Sequence, residues 1–218
     1  MAKKDLIIFG AGGLGREIAW QIEEWNKKQS EYNVIGFVDD TPEYQGTVIN
    51  GLKVLGNTEY LLGYEKKVAV AICLGKSQHR QYVYNKIKVN RNLYFPTIIA
   101  DNVRYGNNVK FGQGCIICWS AVITVDTQIG DFVLINYDCT IGHDVTLENF
   151  VTLYPSVNVS GNVKISYGVE IGVGSQIIEK KKIGENAMLG AGAVVVDDIP
   201  ANCTAVGVPA KVIKYHDI

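Results

Sequence analysis

Histidine is scarce in this chain of 218 residues: there are three, and 5 prolines stand against 23 glycines. Neither sign of charge is in excess, with 21 basic residues facing 22 acidic ones. That balance argues against an electrostatic nucleic-acid binder. A hydrophobic content of 47% beside 20% charged residues excludes a disordered chain. No apolar run reaches the roughly 18 residues that would cross a membrane. The start, Met1-Ala2-Lys3-Lys4-Asp5, leads into an apolar run at 6–9 that is too brief for a signal peptide. Five cysteines without a secretion signal point to a reducing compartment. The expectation is a soluble cytoplasmic protein with no membrane span, long enough for one large domain or two small ones.

What is abundant is a repeat. Steps of six from Tyr105 to Val195 cover 16 positions, of which 14 are Ile, Leu or Val and two are aromatic. Four residues after each comes Val, Ala, Cys, Ser or Thr in 14 cases, Lys181 and Ile199 being the exceptions. Glycine takes the second place at 106, 112, 130, 142, 172, 184 and 190. Neither a helix nor an ordinary strand has a period of six. A triangular coil does: the first residue points inward, a small fifth residue fits the wall, and glycine is expected to ease the turn. Three hexads close a coil of 18 residues, so the prism makes a little over five turns and is roughly 25 Å long. Residues 96–218 are therefore assigned to a hexapeptide-repeat parallel β-helix, entered at Pro96 through Thr97-Ile98-Ile99-Ala100.

Residues 1–95 read as an α/β, Rossmann-like half-domain. Leu6-Ile7-Ile8-Phe9 is a buried strand, and Gly10-Ala11-Gly12-Gly13-Leu14-Gly15 matches G-x-G-x-x-G. From Arg16 the spacing of Ile18, Ile22 and Trp25 predicts a helix. A second strand, Val34-Ile35-Gly36-Phe37-Val38, ends at Asp39-Asp40, and Val68-Ala69-Val70-Ala71-Ile72 is a third. In this context amides at a helix N-terminus can cradle phosphate, and an acid ending the next strand can bond a ribose or base. The other reading is a merely tight strand–helix turn. Some 90 residues suffice for half of a doubly wound domain, which suits a nucleotide-sugar better than NAD.

The histidines are His79, His143 and His216, and only His143 falls in the repeat, so a three-imidazole zinc site is not expected. Cys115-Ile116-Ile117-Cys118 has C-x-x-C spacing without a second pair, and Cys115 reads as packing. No metal is assigned. Trp20 and Trp119 are also read as packing. His143 is third in its hexad, at neither inward place. Gly161 should stack upon it, with Asp144 between Asp126 and Asn162. A neighbouring carboxylate favours the imidazolium form and raises basicity. His143 is thus a candidate general base, the bland alternative being a surface histidine. Lys180-Lys181-Lys182 reads as a solvated corner or as a phosphate contact.

Together these residues resemble the sialic acid O-acetyltransferase and UDP-amino-sugar N-acetyltransferase group (NeuD/PglD-like) of hexapeptide acyltransferases. The likeness rests on the stretches Ile8 to Glu17, Gly36-Phe37-Val38-Asp39-Asp40, Ile141-Gly142-His143-Asp144, Ser160-Gly161-Asn162-Val163 and Gly207-Val208-Pro209-Ala210-Lys211. It implies a left-handed β-helix, a homotrimer, and acetyl-CoA as acyl donor. It implies further that Gly12, Gly13, Leu14, Asp39, Asp40 and Gly75 hold the nucleotide-sugar. His143 would take the acceptor's proton, with Asp144 tuning it, and coenzyme A would lie between neighbouring prisms. The donor-side positions are Thr152, which stands where relatives carry a second histidine, with Val173 and Ala191. The implied activity is acetyl transfer to the amine of a nucleotide-linked amino sugar in surface glycan synthesis. Open alternatives are a sugar O-acetyltransferase, a non-catalytic assembly subunit and an NAD-dependent sugar enzyme.

Overall fold

The computed structural model describes residues 3–216. Two compact units emerge, one running to Gly75 and resuming over His79–Pro96, the other comprising Lys76–Gln78 and the chain from Thr97 onward.

The first unit contains β1 (Lys4–Phe9), α1 (Gly13–Lys28), β2 (Tyr32–Val38), β3 (Val48–Ile49), β4 (Leu52–Gly56), α2 (Thr58–Leu62), β5 (Val68–Ile72), most of α3 (Ser77–Ile87) and β6 (Leu93–Tyr94). The sheet order is β3-β4-β2-β1-β5-β6, and every pairing is parallel except the β3–β4 hairpin. That hairpin turns through Asn50-Gly51, both at positive φ, the backbone that a two-residue hairpin turn needs. β1 and β5 are apolar without alternation because their neighbours cover both faces; Leu6 to Phe9 and all of β5 are buried. From β1 the chain goes to β2 on one side, while β5 lies on the other. The order therefore reverses between β1 and β5, and the loops after these strands flank the crevice where ligands of open parallel sheets bind.

In the second unit, two-residue strands form three walls of a left-handed parallel β-helix. Partners lie 18 residues apart: Ile117 pairs with Ile135, Ile123 with Ile141, and Ile129 with Leu147. The inward first and fifth places build one continuous core, in which Cys115, Ile135, Val145, Leu153, Val163 and Ala193 are all buried. Burial pushes the Cys139 thiol up to about 11, so this interior cysteine holds its proton at neutral pH and serves packing.

Three details differ from the sequence reading. The left-handed residue of each corner is the fourth, not the glycine at the second place: Asp126, Asp144, Asn162 and Lys180 have φ of 56°, 57°, 58° and 62°. Glycine at the second place answers a different demand, the close approach of the next coil. A Cβ on Gly172 would lie 2.6 Å from the backbone of Ala191 and Leu189, and one on Gly142 would lie 2.7 Å from the Gly161 nitrogen. Secondly, Tyr105 is not an inward residue in effect; it is 54% exposed in the first coil, edge-on to Phe111. That coil begins one hexad earlier than counted, at Ile98–Ile99, which pairs with Ile116–Ile117. Thirdly, the register shortens after Val195. Ile183 bridges Ile199, and Leu189 pairs with Ala205, both at a spacing of 16. Ile199, an exception in the count, is accordingly the inward residue of a shorter corner. A final antiparallel hairpin, Cys203–Val206 with Lys211–Tyr215, ends the prism.

Two kinds of glycine predict two kinds of cost. Gly172→Ala forces backbone apart and should lower stability by about 2 kcal/mol. Gly192→Ala, at a fourth place with φ of 69° and open space around it, costs only backbone strain, about 1 kcal/mol. Urea unfolding midpoints of the two variants check the order; an equal or reversed order would sink the close-approach explanation.

Candidate active site

His143 stands third in its corner and is exposed, its side chain 58% accessible. Its Nδ1 lies 2.7 Å from Oδ2 of Asp144. A carboxylate only accepts, so Nδ1 carries the hydrogen and Nε2 is left with the lone pair. The carbonyl of His143 accepts the Asn162 amide at 2.8 Å, and the Asp144 amide donates to Val125 at 3.2 Å. The corner is thereby fixed from the coils on both sides. Gly161 occupies the matching place one coil on, and a Cβ there would come within 2.6 Å of Nε2. The imidazole lies over bare backbone, its free nitrogen on an open edge of the prism. Asp126, Asp144 and Asn162 share the same left-handed backbone in successive coils, and Asn108 extends the polar ladder by donating to Asp126 at 2.8 Å.

Val173 and Ala191 are exposed neighbours on a different edge of the prism from His143. Gly174 and Gly192 beside them meet nothing where a side chain would be. This bare edge admits an extended ligand, yet within one chain it is apart from His143. Thr152 has to be corrected as a donor contact. It is completely buried in the outward column of the first wall, between Leu134 and Glu170. That column (Ile98, Ile116, Leu134, Thr152, Glu170) is buried throughout, whereas the outward places of the other walls are mostly exposed. Glu170 itself accepts the Ser77 amide at 2.8 Å and the Tyr154 hydroxyl at 3.2 Å. Tyr154 thus has a physical role in holding a buried carboxylate.

In the first unit the four glycines of the fingerprint divide by task. Gly10 and Gly15 exist for packing: a Cβ on Gly15 would lie 1.8 Å from the Gly10 carbonyl, and one on Gly10, at φ of 104°, 2.8 Å from that of Cys73. Gly12 and Gly13 meet nothing within 4 Å. No side chain caps α1 at Gly12, so the amides through Leu14 open the crevice to an anion. Asp39 reaches this loop, accepting the Ala11 amide at Oδ2 and the Thr41 amide at Oδ1, both at 2.8 Å. Asp40 does not; it accepts the Thr58 amide at 2.6 Å and the Thr58 hydroxyl, opening α2. The Gly75 carbonyl accepts from Arg80. Trp20 is 54% exposed and lines a cleft of about 560 Å³ with Arg16 and Tyr32, so it is not the packing residue it resembles in sequence. Lys180 and Lys182 are exposed and Lys181 is half-buried.

Sequence reasoning passed over Arg80 and Glu170. Each left a signal. Arg80 shares the i, i+3, i+7 stripe of α3 with the buried Val83 and Ile87, and Glu170 continues a column that is apolar from Ile98 to Leu134. Among the described residues no group of three His, Cys, Asp or Glu could hold a metal, and no helix is long and apolar enough to cross a membrane.

Residues 5–87 match the PglD N-terminal domain family. Along nearly the whole chain the structure is similar to the acetyltransferase domain of PglB from Neisseria gonorrhoeae FA1090, solved with acetyl coenzyme A: identity is 29%, coverage 97% of this chain and 100% of that one, and the TM-score 0.88. The match to that family spans the first unit, and over nearly its whole length the chain shares the architecture of the PglB acetyltransferase domain. Similar likenesses link it to WeeI from Acinetobacter baumannii AYE, at 26% identity, 97% and 100% coverage and a TM-score of 0.87. PerB from Caulobacter crescentus, solved with CoA and GDP-perosamine, gives 26%, 98% and 99%, and 0.86. No curated protein matches the chain.

The contact at Gly161 makes a direct test. Gly161→Ala pushes a flexible ring and not backbone, so stability should fall by less than about 1 kcal/mol, leaving Tm within about 3 °C. If His143 is the general base expected from the sequence, acetyl transfer should fall about 10²-fold because its ring is displaced. Unchanged rates with the ring still in place would refute the reading of this edge.

Proposed function

We propose that the protein transfers an acetyl group from acetyl-CoA to the amine of a nucleotide-linked amino sugar, in the cytoplasm and in the service of surface glycan synthesis. The observation that carries this is the His143–Asp144 pair, its Nε2 bare above Gly161, on a prism that follows an open glycine loop. Relatives solved with acetyl-CoA, CoA and GDP-perosamine support the donor and the class of acceptor.

Acetyl-CoA supplies the acetyl group as a thioester. The bare edge at Val173, Gly174, Ala191 and Gly192 fits its extended arm, where backbone can come close. As the acceptor nitrogen bonds to the acyl carbon, Nε2 of His143 takes its proton, and Asp144 holds the imidazole in the tautomer that can do so; the C–S bond of the thioester then breaks, and coenzyme A leaves as a thiolate that recovers the proton from Nε2. The charge that forms on the ring is stabilised by the carboxylate 2.7 Å away. Gly12, Gly13 and Leu14 bind the pyrophosphate through their amides, and Asp39 holds the loop that presents them. Because His143 and the Val173–Ala191 edge lie apart within one chain, a complete site takes its two edges from neighbouring copies. A closed ring of three prisms provides this with a single repeated contact.

His143→Ala should lower acetyl transfer by 10²- to 10⁴-fold and leave nucleotide-sugar binding intact. Initial rates with UDP-, TDP- and GDP-linked amino sugars, beside calorimetric binding of the same sugars, measure both. A variant as active as the wild type would remove the general base.

A further inference from the structure

Arg80 lies in the first turn of α3 and is 2% exposed. Arginine is almost never buried to this degree unless its donors are engaged. Its place on the stripe of Val83 and Ile87 aims it inward, and its Nη1 donates to the carbonyls of Leu74 and Gly75, each at 2.7 Å. Hydrogen bonds from a charged donor in a buried setting are strong, and a planar guanidinium keeps them in fixed directions. The two carbonyls belong to the turn that leaves β5, and this turn faces the glycine loop across the point where strand order reverses. The approach there is close: a Cβ on Gly10 would come within 2.8 Å of the Cys73 carbonyl and 3.1 Å of the Leu74 side chain. One wall of the crevice is therefore the run of open amides at Gly12 and Gly13, and the other is a turn that cannot relax without breaking both Arg80 bonds. Nothing in the turn's own composition would hold it so, since Gly75 adds backbone freedom.

We infer that Arg80 is a positioning residue for the nucleotide-sugar, holding the Leu74–Gly75 turn as a preformed wall of the crevice. The inference rests on the proposed function and deepens it. Holding the turn in advance removes an ordering cost that binding would otherwise carry. Its loss should therefore weaken acceptor binding without touching the chemical step. A lysine keeps the charge but not the fork.

The test is steady-state kinetics of Arg80→Lys with the UDP-, TDP- and GDP-linked amino sugars and acetyl-CoA. The expected result is a KM for the sugar raised at least tenfold, with kcat and the KM for acetyl-CoA within twofold of wild type. A role confined to folding would instead lower the amount of active protein and leave all KM values unchanged. Hydrogen exchange on the wild type covers the case of a variant that does not fold. Saturating nucleotide-sugar should slow exchange in both 10–15 and 73–76, and acetyl-CoA alone should slow neither. The two failures separate: a wild type that acetylates none of the sugars overturns the functional reading. An active wild type overturns the role of Arg80 if the variant's sugar KM is unchanged, or if only 10–15 is protected.

Discussion

Hydrogen bonds from each coil of the prism to the next are the constraint on which the rest depends. Ile116 donates to Val133, Leu134 to Val151 and Thr152 to Val169, at 2.8 to 2.9 Å. Such bonds hold neighbouring strands about 4.8 Å apart, and that spacing leaves no room for a side chain between certain corners. Glycine at the second places follows from it. So does the setting of His143, because the coil after it must present backbone beneath the ring, and Gly161 does. A parallel stack of this kind exposes no long run of unpaired groups except at its ends, and the Cys203–Val206 and Lys211–Tyr215 hairpin closes one of them.

The hexad made the prism legible because one inward residue in six is an absolute demand of a triangular coil, and Phe111 to Val195 meet it. The glycines misled, for sequence shows that a side chain is missing and not which of two reasons removed it. Asn, Asp, Ser, Phe and Lys all occupy the left-handed fourth places, so composition hid where the turn was made. The shortened last coil was also invisible: Ile199 is an apolar residue two places early, which a count in sixes registers only as an exception. At the site, His143 could be read because its place is neither inward nor small. Asp39 and Asp40, adjacent in sequence, could not be told apart, since their difference lies in which amides fold brings to them: Ala11 and Thr41 for one, Thr58 for the other. Thr152 failed for a related reason. Whether an outward residue meets solvent depends on what covers the wall, and only the run Ile98, Ile116, Leu134 hinted that this wall was covered.

The two units meet different demands. A crevice at the ends of parallel strands recognises a nucleotide through backbone amides, which need glycine and a helix N-terminus and little else. A prism offers rigid edges on which a side chain repeats its position at each coil. On the proposed reading, binding is assigned to the first and proton transfer to the second, and a change of sugar requires no change in the base. The edge carrying Val173 and Ala191 and the edge carrying His143 are both regular and both bare, and regular edges are what neighbouring copies can bring together without distorting either.

His143 and Asp144 are consecutive residues, and in a strand consecutive side chains point to opposite faces. A hydrogen bond between them at 2.7 Å is therefore a product of the corner. The left-handed backbone of Asp144, at φ of 57°, reverses the chain within one residue and returns the carboxylate to the imidazole's side. Most side chains resist that conformation, while aspartate and asparagine accept it at low cost. Glycine would accept it more readily but would supply no carboxylate, and asparagine would supply no charge to offset a protonated ring. Aspartate alone meets the conformational and the chemical demand at this fourth place. The turn that the fold must make after every hexad thus becomes, at one coil, the means of orienting an imidazole.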